Sequence, residues 1–400
     1  MAAPPGPEYT LRGHESAVNC CSFAEGPRSA GGAGGADDDA SCGLLLSGSV
    51  DGTIKVWQLD SRRATTRRSA HSHSVVSIAA LPGPASQQFI TAGRDECVKL
   101  WDTETMAPEA EPLLTLHSGG KHFCNTAVDT GSDSGASASA GASPQLVVSP
   151  AADEHRALLW DTRTGTVSME VHTAKEKGTI TALHLHSGDL YVGTEDGTIS
   201  SFDLRGGNGG RTAANGTSDA AGAPNSCMDL HLHDKQPVMA LDVAPGGRTV
   251  VSGAADAELV RTDLQPGGEG WGDTTATPTI TRTALPSTGT SSVRIRGDGR
   301  IVASGHWDST VRIFALKGGN SAGGGNKNNK GPSLKPLAVL THHTASVFSV
   351  AFRGGTDIPG GAAGVFATAS KDSTIAVWAL YANTYKNKNN KNLESGEPRE

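Results

Sequence analysis

Few arrangements of residues in this chain could carry chemistry. Gly319-Asn320-Ser321-Ala322-Gly323 spells the G-x-S-x-G string that aims a serine hydroxyl at an oxyanion hole in some hydrolases. Such a serine works only from a strained turn between a strand and a helix. Here the string lies in a Gly/Asn-rich run with no helical pattern after it, so it reads as a chance match. His-x-His occurs at His71/His73, His184/His186 and His231/His233. Alternate residues of a strand share a face, which is the spacing a metal pair needs. Yet His71 and His233 already belong to a recurring pattern, and no carboxylate or cysteine cluster completes a ligand set. No P-loop string is present, so nothing supports nucleotide hydrolysis. From these residues we expect no catalytic site, no metal and no cofactor.

The elements that position these groups come from a repeat. An apolar strand, a pair of small residues, an acidic turn, a second strand and an aromatic residue recur at 44–57, 89–101, 146–160, 190–202, 250–262, 301–314 and 366–378. The acids Asp51, Asp95, Glu154, Asp196, Asp256, Asp308 and Asp372 each stand six positions before Trp57, Trp101, Trp160, Phe202, Thr262, Phe314 and Trp378. Two short strands joined by a tight turn require such a line. Ahead of four copies lies a further apolar strand opened by a histidine: His14, His71, His233 and His343.

The bulk numbers bound what such a chain can do. The 400 residues carry 34 Lys+Arg against 41 Asp+Glu, a formal charge of −7, which argues against a protein built to grip phosphate backbones. No apolar run is long enough to span a membrane and no secretory signal is visible, so we expect no membrane association. The six cysteines show no paired framework, which points to a reducing compartment. Glycine is abundant, at 51 residues, and part of it pools in apolar-poor stretches. We expect disordered insertions at 26–43, 129–144, 206–226 and 318–333, a disordered N-terminus at 1–8 and a disordered tail at 382–400.

The repeat resembles that of the WD40 family, which runs from Gly-His to Trp-Asp over four strands. The literal Trp-Asp stands at Trp101-Asp102 and Trp160-Asp161. The resemblance implies an all-β, seven-bladed WD40 β-propeller over residues 9–381. It also implies a structural role for the repeat residues, with His14, Ser47, Asp51 and Trp57 bonded to one another in blade one. Asp95, Trp101, Trp160, Asp196, Asp256, Asp308, His343, Asp372 and Trp378 take the matching places elsewhere. Blade six has no opening histidine and blade five ends in Thr262, so these two should be the loosest. Tyr9-Thr10-Leu11 has no blade of its own and the last copy lacks a fourth strand. We therefore expect residues 9–11 to close the ring there.

The residue before each turn acid should project from one rim of the disc: Val50, Arg94, Asp153, Glu195, Ala255, Trp307 and Lys371. An indole in an exposed turn is unusual, and Trp and Arg are enriched at interface hot spots. Trp307, Arg94 and Lys371 are thus the candidate partner-binding residues. Trp160-Asp161-Thr162-Arg163 resembles the box by which WD40 substrate receptors dock on a cullin-ring ubiquitin ligase adaptor, which is the alternative function. Nothing suggests direct nucleic-acid binding or a small-molecule substrate.

Residues 292–309, 237–243, 252–257, 336–340 and 369–381, with the opening Tyr9-Thr10-Leu11-Arg12-Gly13-His14, narrow the likeness further. They resemble the ASTRA-associated protein 1 branch of the WD40 family, whose animal members are the G-protein β-subunit-like proteins. That resemblance implies a non-enzymatic scaffold in a multi-subunit ASTRA-type assembly. It further implies a nuclear location and roles in chromatin remodelling and in maturation of phosphatidylinositol-3-kinase-related kinases.

Overall fold

Runs rich in Val, Leu, Ile and Thr, cut by Asp- and Gly-containing turns, fold as antiparallel hairpins. The computed structural model describes residues 6–24, 43–67, 69–81, 87–120, 124–129, 146–204, 228–263, 277–318, 332–354 and 364–380. The strand β1 (Tyr9–Arg12) comes first. Blade one is β2 (Val18–Ala24), β3 (Leu44–Ser49), β4 (Ile54–Gln58) and β5 (Arg63–Arg67). Blade two is β6 (Val75–Ala80), β7 (Gln88–Gly93), β8 (Cys97–Asp102) and β9 (Leu114–His117). Blade three is β10 (Ala127–Val128), β11 (Leu146–Pro150), β12 (Arg156–Asp161) and β13 (Thr166–His172). Blade four is β14 (Ile180–His186), β15 (Asp189–Thr194), β16 (Thr198–Asp203) and β17 (Met228–His231). Blade five is β18 (Val238–Val243), β19 (Thr249–Ala254), β20 (Glu258–Asp263) and β21 (Thr279–Ala284). Blade six is β22 (Thr290–Ile295), β23 (Ile301–His306), β24 (Val311–Lys317) and β25 (Ser333–Leu340). Blade seven holds β26 (Val347–Phe352), β27 (Val365–Ser370) and β28 (Thr374–Ala379), and its fourth strand is β1.

Closure takes the expected form. Tyr9 pairs with Val377 and Leu11 with Ile375, so the two ends of the described chain share one sheet. The ladder starts one residue earlier than expected, because Glu8 N–H already donates to Val377 C=O at 2.9 Å. Arg62, in a turn of blade one, lies 4.5 Å over the Tyr9 ring and clips the seam from the neighbouring blade.

Each junction between inner strands carries a hydrogen bond that ties consecutive blades. In ring order from blade one these are Ala80 N–H to Ser22, Thr126 N–H to Ser77, Asn125 to Leu183 C=O and Thr181 to Val238 C=O. Ile295 N–H to Asp242, Val350 N–H to Ser292 and Cys21 N–H to Ser349 complete the circuit. The core divides the same way, into seven apolar clusters, one at each junction. The repeat aromatic of a blade packs into the junction with the blade before it. Trp101 meets Leu46 and Ile54, and Phe314 meets Val251 and Leu259.

The expected insertions, the tail and the Gly319–Gly323 string lie outside the described residues, apart from a few boundary positions. At those boundaries Asp129 accepts Ser187 N–H and Ser333 already belongs to β25.

Candidate interaction face

Every blade must anchor its turn acid, and the blades do so in different ways. In blade two Trp101 Nε1–H donates to Thr91 Oγ1 (2.8 Å), Thr91 lies 2.7 Å from His71 Nε2, and His71 Nδ1 lies 2.8 Å from Asp95. Thr91 Oγ1 accepts the indole N–H, which leaves its own proton available for His71 Nε2. Burial works against the Asp95 carboxylate, but the His71 and Ser72 hydrogen bonds and the Lys99 charge bring it down to about 2. Blade seven repeats the set through Trp378, Thr368, His343 and Asp372. Blade five keeps His233, Ser252 and Asp256.

Blade one departs from expectation. His14 and Trp57 both bond Ser47, at 2.7 and 2.8 Å, but the Asp51 carboxylate caps the N–H of Thr53 instead. His14 Nδ1 is buried without a hydrogen-bond partner among the described residues. Burial, with Lys55 nearby, pushes this histidine down to about 4.

Blade three corrects a second expectation. Trp160 bonds Ser149, but the turn carries one extra residue and Asp153, not Glu154, caps the chain by accepting His155 N–H. Its rim residue is therefore Ala152 rather than Asp153. Ser118 and Thr173 stand where blades three and four would have an opening histidine, each donating an N–H to the preceding turn. In blade four Asp196 instead accepts from Thr194 and Thr198.

Nor are blades five and six left open. Thr262 is buried and its hydroxyl has no partner among the described residues. Beside it the buried Arg261 forms a bidentate pair with Asp263 (2.7 and 2.9 Å) and donates to the carbonyls of Lys317, Gly318 and Ser333 in blade six. In blade six His306 Nε2 lies 2.7 Å from Ser304 Oγ, standing in for the opening histidine. Asp308 there takes Arg312 and Ser287 as partners, both at 2.5 Å. The acid is the one the repeat marks, but Arg312 and Ser287 stand at positions outside the recurring pattern.

These turns share one face of the disc. The N–H groups of Val50, Arg94, Glu195, Ala255, Trp307 and Lys371 each donate to a carbonyl of their own blade's opening loop. Trp307 is 44% and Val50 46% exposed, the largest apolar side chains of this rim. The indole also rests on a neighbouring loop, because a Cβ at Gly289 would fall 2.1 Å from its Cδ2. Gly289 has a φ of 87°, so the position excludes side chains twice over. Trp307 and Lys371 are bridged by one residue: Ser346 Oγ donates to Trp307 C=O, and Ser346 C=O accepts Lys371 N–H. Arg94 lies two blades from Lys371 along the same rim.

The other candidates sit elsewhere. Arg163 turns back onto Asp161 through two hydrogen bonds, at 3.2 and 3.1 Å, at the far end of β12. His71 and His233 are committed to their blades. His184, on an inner strand, faces Asp242 at 3.2 Å; burial, with Arg294 and His186 close by, pushes it down to about 3. Sequence reasoning missed this three-blade cluster of His184, Asp242 and Arg294.

The WD domain, G-beta repeat family model matches residues 6–58, 63–102, 282–314 and 334–379. Those segments cover most of blades one, two, six and seven; the unmatched middle holds blades three and four, which lack an opening histidine, and blade five, which lacks the repeat aromatic. Guanine nucleotide-binding protein subunit beta-like protein 1 of Mus musculus is 27% identical over 388 residues, covering 94% of this chain and 97% of that protein. ASTRA-associated protein 1 of Verticillium alfalfae is 26% identical over 398 residues, covering 94% and 85%. That of Aspergillus niger is 27% identical over 395 residues, covering 87% and 81%. Repeat, fold and likeness agree: the chain folds as a seven-bladed β-propeller, matches WD40 repeats in four segments, and is similar along most of its length to the ASTRA-associated and β-subunit-like proteins.

Proposed function

We propose that this protein is a non-catalytic scaffold subunit of an ASTRA-type assembly in the nucleus. There it would serve chromatin remodelling and the maturation of phosphatidylinositol-3-kinase-related kinases. The observation that carries the reading is the likeness to fungal ASTRA-associated proteins over nearly the whole chain rather than over the repeat motifs alone. A disc that exposes Trp307 and Val50 on one rim suits such a role, since a few exposed anchors supply most of the energy of a protein interface. Tagged full-length protein, purified from its own cells and read by mass spectrometry, tests the proposal. ASTRA-type subunits as principal partners support it; a ligase adaptor as principal partner, lost on Arg163→Ala, overturns it.

A further inference from the structure

We propose that Cys97 and His117 form a surface binding site for a borderline-soft divalent cation, zinc. The site is independent of which proteins the disc binds, since it stands on the geometry of one hairpin in blade two.

Cys97 opens β8 and His117 ends β9, and the antiparallel register sets them directly opposite each other. Cross-strand partners share a face of the sheet, which brings their side chains within reach. Here Cys97 Sγ lies 3.4 Å from His117 Nδ1. Zinc bonds sulfur at about 2.3 Å and imidazole nitrogen at about 2.0–2.1 Å, so a tetrahedral angle at the metal separates the two donors by about 3.5 Å. The pair already stands at the bite of a zinc ion. Thiolate and imidazole together select such a cation over magnesium or calcium. No spacing motif marks the two residues, because they are brought together by the register and not by the local sequence.

The hairpin holds that bite in place. Glu96 turns the chain with a φ of 66°, and its C=O accepts both the N–H (3.0 Å) and the hydroxyl (3.1 Å) of Ser118. Those bonds lock the strand ends one residue beyond the pair. β9 is the outermost strand of its blade, and the donors meet solvent there: His117 is exposed and Cys97 partly so. Cys20, Cys21 and Cys124 are all buried, which leaves Cys97 as the accessible thiol among the described residues. Burial, and after it Asp95, push this thiol up; Glu96 acts the same way, against Lys99. The negative charge that hinders loss of the proton also attracts a cation. Zinc bonds the lone pair of Nδ1 and the thiolate, while the thiol proton leaves to solvent. Among the described residues no third Cys, His, Asp or Glu completes the set, so two positions stay open for water or for a donor from a docked protein.

The test uses full-length protein, reduced and stripped of metal, with all its other thiols kept. Zinc is titrated in competition with a chromophoric indicator, and cobalt is added separately for its thiolate-to-metal absorption. Wild type should bind zinc and show the cobalt–thiolate band. Cys97→Ser and His117→Gln should each weaken zinc at least about tenfold, and Cys97→Ser should remove the band. Both changes lie at the surface, and unaltered melting temperatures without metal check that the fold is kept. As a second readout, zinc should raise the melting temperature of wild type and leave that of both variants unmoved. No zinc binding by wild type, or binding that keeps its strength after either substitution, overturns the site.

Discussion

His306 Nε2 lies 2.7 Å from the Oγ of Ser304, two residues away on the same strand. Blade six thus finds within β23 the imidazole–hydroxyl contact for which blades one, two, five and seven reach back to an opening loop. The blade that looked incomplete has kept the contact and changed its source.

That substitution has a pH signature. His306, beside Arg312, and His14, beside Lys55, are buried and pushed down to about 4 from an ordinary 6.5. The unfolded chain takes up these protons near pH 6.5, whereas the folded chain refuses them until about pH 4. Their stabilisation is full above that window and declines as pH falls through it. We expect urea midpoints to drop between about pH 6.5 and about pH 4, and to drop less steeply in His14→Gln and His306→Gln. Equal slopes in wild type and both variants would refute the assignment.

Asp95 and Asp51 occupy matching turns but do unequal work. Asp95 holds His71, whereas Asp51 makes no hydrogen bond to His14. Asp95→Asn should therefore lower the melting temperature more than Asp51→Asn. With the Asp95 carboxylate held near 2, its contribution is present above about pH 4 and lost on acidification toward about pH 2. Equal losses for the two variants at neutral pH would count against this difference.

Arg261 and Asp263 should show strong coupling. Arg261→Met leaves a mostly buried carboxylate without its guanidinium and should cost about 3–5 kcal/mol. Arg261→Met with Asp263→Asn should cost less than the two single changes together, measured by denaturant unfolding in a double-mutant cycle. Simple additivity would show that the pair is not what joins blade five to blade six.

The seam depends on a short strand. Leu11 is buried against Ile375 and Trp57, and Leu11→Ala should cost about 2–5 kcal/mol. Removing residues 382–400 should leave the melting temperature unchanged. A tail deletion as damaging as Leu11→Ala would contradict the account of closure.

Blade number and most of the turn acids were legible because they depend on local spacing: Asp51 and Trp57 belong to one hairpin, and its turn chemistry repeats; closure was legible because Tyr9-Thr10-Leu11 was a strand without a blade and the last blade lacked a strand. The acid of blade three was misplaced because Asp153 and Glu154 are adjacent and one inserted turn residue decides between them. Arg261 and the His184–Asp242–Arg294 cluster escaped because they act across blade junctions, between residues that the ring brings together and the chain keeps apart. The rim position of Trp307 followed from its turn, but its seat on Gly289 did not, since that contact is set by how the opening loop folds back.

Leu11 and Ile375 face each other from the first and last of the described strands, and the first is made long before the last. At roughly 5–20 residues per second, the first strand waits on the order of 20–70 seconds for its partner to leave the ribosome. Throughout that interval the nascent chain carries an unmatched strand and a bare flank on blade one. Cellular yield of this protein should accordingly respond to the supply of chaperones that shield unfinished sheets.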